Sequence, residues 1–142
     1  VSAMERFCTN FHRLPDSVKS RLTVENDDKA SMYSVQDLYD GVYCKIGIPI
    51  VFDYHHHKFC TGGLSEQQAL ELAISTWGNI TPVVHYSESR SIEQEDDKIR
   101  PQAHSDYVYD YIDTYDNRVD IMVEAKAKEL AVIRYKELHN VI

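Results

Sequence analysis

Four short runs of apolar, β-leaning residues recur along the chain, and each stops at a side chain able to hold a metal. Arg21-Leu22-Thr23-Val24 leads into Glu25, Pro49-Ile50-Val51-Phe52 into Asp53, Thr81-Pro82-Val83-Val84 into His85, and Asp120-Ile121-Met122-Val123 into Glu124. Runs of this kind read as strands buried on both faces. The spacing leaves room for a helix and two loops each time, so the pattern predicts consecutive βα modules of a parallel sheet.

Helical periodicity fills most of the intervals. Met4, Phe7, Cys8 and Phe11 predict a helix before the first strand, broken at Leu14-Pro15. Ser34 opens a second with Leu38, Val42 and Ile46 on one face; Gly41 inside it costs ~1 kcal/mol relative to Ala, and Gly47 and Pro49 end it. Ser65-Glu66-Gln67-Gln68 is a capping box that starts a helix with Leu70, Ala73, Ile74 and Trp77 inward. Val108, Tyr111, Ile112 and Tyr115 predict another, and Ala125 to Asn140 a last one with Leu130, Ile133 and Leu138 inward. Ile92 to Arg100, rich in acidic residues, reads as a solvated loop.

In parallel βα architectures the C-terminal edge of the sheet gathers the active-site residues, so Glu25, Asp53, His85 and Glu124 should share one mouth. Two Glu, one Asp and one His suit Mn²⁺, Zn²⁺ or Fe²⁺ better than Ca²⁺ or Mg²⁺. The triplet His55-His56-His57 leaves two geometries open. A continuing strand would put Asp53, His55 and His57 on one face, whereas a chain curling out of the strand lets Asp53 and His56 converge. Asp27 and Asp28 read as loop formers, Cys60 as a buried bystander, Trp77 as packing and His12 as a surface residue. Lys126 and Lys128 stand near the mouth.

The 142 residues are 43% hydrophobic and 27% charged, an ordinary composition for one domain. A complete (β/α)₈ barrel needs ~200 to 250 residues, so four repeats predict an α/β, (βα)₄ half of a TIM barrel. Such a half has two open sheet edges, and the expectation is that a missing half-barrel or another chain completes it. The sequence supports neither a membrane span nor a signal peptide, and three scattered cysteines point to a reducing, intracellular setting, cytoplasm or nucleus. A net charge of −8 argues against broad nucleic-acid binding unless divalent ions supply the missing positive charge.

Four ordered motifs carry a family resemblance: Leu22-Thr23-Val24-Glu25-Asn26-Asp27-Asp28-Lys29, Gly47 to His57, Arg100-Pro101-Gln102-Ala103-His104-Ser105-Asp106-Tyr107-Val108, and Asp120 to Glu129. Over nearly its whole length the chain resembles the UV damage endonuclease family, metal-dependent TIM-barrel nucleases related in fold to endonuclease IV. The resemblance implies that residues 1–142 are one partial domain, the C-terminal half of that barrel. It implies that Glu25 bridges two metals, that Asp53, His85 and Glu124 complete one of them, and that His56, through an Asp-x-x-His pattern, and His104 serve a third. Mn²⁺ is the implied ion and UV-damaged double-stranded DNA the implied substrate, nicked 5′ of the photoproduct. Lys126, from its place near the mouth, and Arg100 are the candidate substrate contacts. The family's usual lysine two positions before His85 is Val83 here. Its remaining metal-binding histidines and lesion-probing residues belong to the N-terminal half. Two other readings remain: a sugar-isomerase-like barrel, and a truncated, non-catalytic metal-binding remnant that needs a partner chain.

Overall fold

The computed structural model describes residues 2–142. Four strands, β1 (Val24–Glu25), β2 (Ile50–Asp53), β3 (Val83–Tyr86) and β4 (Asp120–Val123), form one sheet in the order β1-β2-β3-β4, and every pairing is parallel. Sequential parallel order is the arrangement of half a (β/α)₈ barrel, and it matches the expectation from spacing. Three strands sit later than the apolar runs suggest, with Glu25, Asp53 and His85 as the last or next-to-last residues of β1, β2 and β3, whereas β4 coincides with its run and Glu124 directly follows it.

Helices cover one face. α1 (Ala3–Phe11) begins with a capping box between Ser2 and Glu5, and α2 (Asp16–Lys19) follows it. α3 (Val35–Leu38) starts with a second box between Ser34 and Asp37. The expected single helix over this stretch is instead α3, a π-helical turn at Tyr39–Tyr43 and α4 (Cys44–Ile46), closed by Gly47 at φ 73°. Gly41 lies in that π turn, where a Cβ would come within 2.6 Å of Met4 Sδ, so its presence reflects close packing against α1. α5 (Tyr54–His57) leaves β2 directly, and α6 (Glu66–Ile74) carries the Ser65/Gln68 box foreseen from sequence. Trp77 is buried and its Nε1 donates to Ile50 O at 2.8 Å, a packing role.

Register divides the sheet into two faces. Phe52 pairs with Val84, which pairs with Ile121, while Asp53 pairs with His85, which pairs with Met122. The first row faces the helices: Ile50, Phe52, Val84 and Tyr86 belong to the main core with Leu38, Val42, Leu70 and Ala73. The second row is the inner face of the half-barrel and carries the site, with Val83 on the same face two residues before His85.

Three expectations are corrected. Val108, Tyr111, Ile112 and Tyr115 form no helix. The only helix between β3 and β4 among the described residues is α7 (Arg90–Glu93), and the later segment is irregular chain with Val108 and Ile112 buried. Its amides are satisfied by side chains: Glu88 accepts from Tyr109 N and Asp110 N, and the Tyr135 hydroxyl accepts from Ile112 N at 3.0 Å. Only β2 is buried on both faces among the described strands: Glu25 of β1 is exposed, β3 alternates buried with half-buried positions, and Ile121 and Met122 of β4 are exposed. Finally, α8 (Glu129–Leu138) buries Ala131 and Tyr135 and turns Leu130, Ile133 and Leu138 outward.

Candidate metal centre

Each donor comes from the end of a different strand, as a parallel sheet requires when neighbouring strands run in step. One ligand atom from each of Glu25, Asp53, His85 and Glu124 lies within 4.8 Å of all the others. His85 Nδ1 stands between two carboxylates, 2.9 Å from Glu25 Oε1 and 3.1 Å from Glu124 Oε1. Asp53 sits at the sheet's buried centre. Its Oδ1 caps α5 by accepting from His56 N at 2.8 Å, and its Oδ2 is buried with no hydrogen-bond donor.

The chain resolves the histidine triplet by curling. Because α5 begins at Tyr54, His56 turns back to the site, with Nε2 3.8 Å from Asp53 Oδ2 and Nδ1 3.7 Å from Glu25 Oε1. His55 and His57 are buried elsewhere: His55 donates from Nε2 to Gln102 O at 3.2 Å, and His57 packs on the Phe52 ring. His104 reaches the opposite margin, its Nδ1 3.8 Å from Glu124 Oε2. A backbone bridge between Ser89 and His104 and the Arg90–Asp106 ion pair at 2.7 Å fix that segment, and Lys126 N donates to Ser105 O at 3.0 Å. Arg100 and Lys126 are exposed, and among the described residues neither side chain bonds to the cluster.

Electrostatics are strained by this gathering of acids. Burial, then the adjoining Glu25 carboxyl, pushes Asp53 up to about 7. Burial opposes ionisation of Glu25 too, but the hydrogen bond with His85 and the adjoining Asp53 carboxyl outweigh it and hold that carboxyl below its ordinary value. The Glu25 hydrogen bond holds the His85 imidazole above its usual range. Burial disfavours the charged form of His56, yet Asp53, the Asn26 carbonyl and Glu25 raise it on balance. A carboxyl held near neutrality by burial and another acid fits a place built for a cation.

Asn26, just after Glu25, escaped the sequence reading. It is 1% exposed, donates from Nδ2 to Asp53 O at 3.0 Å and accepts from Asp53 N at 2.8 Å. No sequence pattern marks it, because its place is set by the structure: it stands where the next rung of the ladder would fall after a strand of two residues.

A family profile described as UV-endonuclease UvdE matches residues 1–141. The chain belongs to the UV-endonuclease UvdE family. Among UvdE relatives, the UV-damage endonuclease of Schizosaccharomyces pombe is 40% identical, covering 96% of this chain and 24% of that protein. The UV DNA damage endonuclease of Bacillus mycoides is 37% identical over 93% of this chain and 42% of its own length. The crystal structure of SacUVDE superposes with a TM-score of 0.77 at 30% identity, covering 98% of this chain and 47% of that one. The chain thus spans between a quarter and a half of the length of these UvdE proteins. No helix among the described residues is long and apolar enough to cross a membrane.

Proposed function

We propose that residues 1–142 are one partial domain, the C-terminal half of a UV damage endonuclease barrel, and that Glu25, Asp53, His85 and Glu124 hold divalent metal in it. The observation that carries this reading is the convergence of four donors from four strand ends to within 4.8 Å. Carboxylate oxygens with an imidazole nitrogen suit Mn²⁺, with Zn²⁺ or Fe²⁺ as alternatives, and the donor-less Asp53 Oδ2 is an oxygen that a cation would satisfy. Divalent ions held there would supply positive charge for the phosphate oxygens and lower the pKa of an attacking water toward neutral pH.

The chain's own residues hold and orient. Glu25 lies between His56 and His85 and would contribute its carboxylate oxygens to more than one ion. Asp53, His85 and Glu124 share the inner face, and His56 and His104 flank it to serve a further ion. The proposed reaction is hydrolysis of the phosphodiester bond immediately 5′ of a UV photoproduct in duplex DNA, leaving a 3′-hydroxyl and a 5′-phosphate, with Lys126 and Arg100 contacting phosphate. An N-terminal half-barrel, or another chain in its place, completes the enzyme.

The test is a Mn²⁺ titration of the chain followed by thermal denaturation, with nicking of irradiated duplex as a second readout. We expect Mn²⁺ to raise the melting temperature, Asp53→Asn and His85→Ala to remove that rise, and nicking to be weak until an N-terminal half-barrel is supplied. Thermal indifference to Mn²⁺, Zn²⁺ and Fe²⁺ alike would overturn the metal centre. Efficient nicking by the 142-residue chain as a monomer would overturn the half-barrel.

A further inference from the structure

Strand β1 ends at Glu25, while its neighbour β2 continues to Asp53. The N–H and C=O of Asp53 would therefore be left without a ladder partner in a buried setting, where an unpaired backbone group is costly. The Asn26 side chain takes the place of the missing rung, accepting from Asp53 N at 2.8 Å and donating to Asp53 O at 3.0 Å. A short amide carries both functions on one planar group, so it can reproduce a peptide edge; aspartate offers acceptors only, and alanine neither.

The same residue makes a second contact through its backbone. Asn26 O lies 2.7 Å from His56 Nδ1. A carbonyl can only accept, so Nδ1 carries the hydrogen, and the neutral ring presents its lone pair at Nε2, the nitrogen 3.8 Å from Asp53 Oδ2. Oδ2 is itself buried without a donor. Two electron pairs therefore face each other across a gap suited to a shared cation.

We infer that Asn26 is a positioning residue for the proposed metal centre: its side chain locks the Asp53 peptide in place, and its carbonyl selects the Nε2-ligating tautomer of His56. This deepens the reading of the preceding subsection and rests on it. Metal ligands are held in this way elsewhere, by an acceptor on the distal ring nitrogen, and loss of such a partner costs about 10–100-fold in metal affinity.

Two measurements test it. The first needs no substitution: imidazole ¹⁵N shifts of the metal-free protein, recorded well above the imidazole range, should show His56 protonated at Nδ1. An Nε2–H tautomer there would overturn the assignment. In the second, Mn²⁺ affinity is measured by calorimetry for the parent, Asn26→Asp and the milder Asn26→Ser, with circular dichroism as the check on folding. We expect folded variants to bind Mn²⁺ about 10–100-fold more weakly and to lose the single His56 tautomer. Folded variants with parental affinity and tautomer would show that Asn26 only stabilises the sheet, and would sink its role at the site. A parent protein that binds no Mn²⁺ would instead sink the centre itself, so the two failures are distinguishable.

Discussion

Three carboxylates crowd one rim, and Asp53 bears the consequence, buried and pushed up to about 7 from an ordinary value of 3.8. A carboxyl whose folded value lies above its unfolded one weakens the fold as pH rises between the two, because the unfolded chain ionises more readily. Without metal, Asp53→Asn should therefore be more stable than the parent at pH 8, by on the order of 1–2 kcal/mol. Chelator-treated denaturant unfolding checks this, and a less stable variant would refute the electrostatic account. At this scale the acids and His85 were legible because each closes an apolar run. Asn26 was not, because its importance comes from the ladder rung that β1 fails to supply, and ladder length cannot be read from apolar spacing. The triplet was ambiguous for a related reason: period-two and helical geometry select different histidines, and only the Asp53 cap on α5 decides between them.

Among the elements, the segment between α7 and β4 shows most plainly how periodicity can mislead. Val108 and Ile112 are buried as a helix would have buried them, yet two carboxylates have taken over the backbone. Glu93 accepts from Asp106 N, Tyr107 N and the Tyr109 hydroxyl, and although burial opposes it, these bonds lower its carboxyl to about 2. A depressed carboxyl lends stability above its unfolded value near 4.5 and loses it as pH falls toward about 2. Glu93→Gln should accordingly be less stable than the parent at pH 7, with the gap closing across that acid window; thermal melts from pH 7 to pH 2 measure it, and a gap independent of pH would count against it. A second element-level test concerns Gly62, held at φ 59° with its missing Cβ pointing at Ser34 Oγ. Ser34 caps α3 through Asp37 N, so Gly62→Ala should strain the turn and disturb the cap together, costing about 1–3 kcal/mol in chemical denaturation. An unchanged midpoint would mean that the turn relaxes freely.

For the molecule as a whole, the last strand and the last helix leave large apolar side chains exposed. Met122 is 55% exposed on the inner face, and Leu130, Ile133 and Leu138 of α8 are each more than half exposed. An edge strand with an open ladder and exposed apolar side chains promote association. The chain on its own should run in light scattering above its 16.5 kDa mass, and Leu130→Glu with Ile133→Glu should shift it toward the monomer. A parent already monomeric at high concentration would contradict this. The sheet order was legible in sequence because strand-helix-strand spacing leaves few alternatives. The direction of α8 was not, since Leu130, Ile133 and Leu138 look inward only when no further neighbour is imagined.

Strand order carries a kinetic corollary. Every ladder joins strands that are consecutive in the polypeptide, so no pairing must wait for a distant segment to diffuse back. The sheet can zip outward from the fully buried β2, and the rim donors arrive in their mutual geometry one rung at a time as it does so.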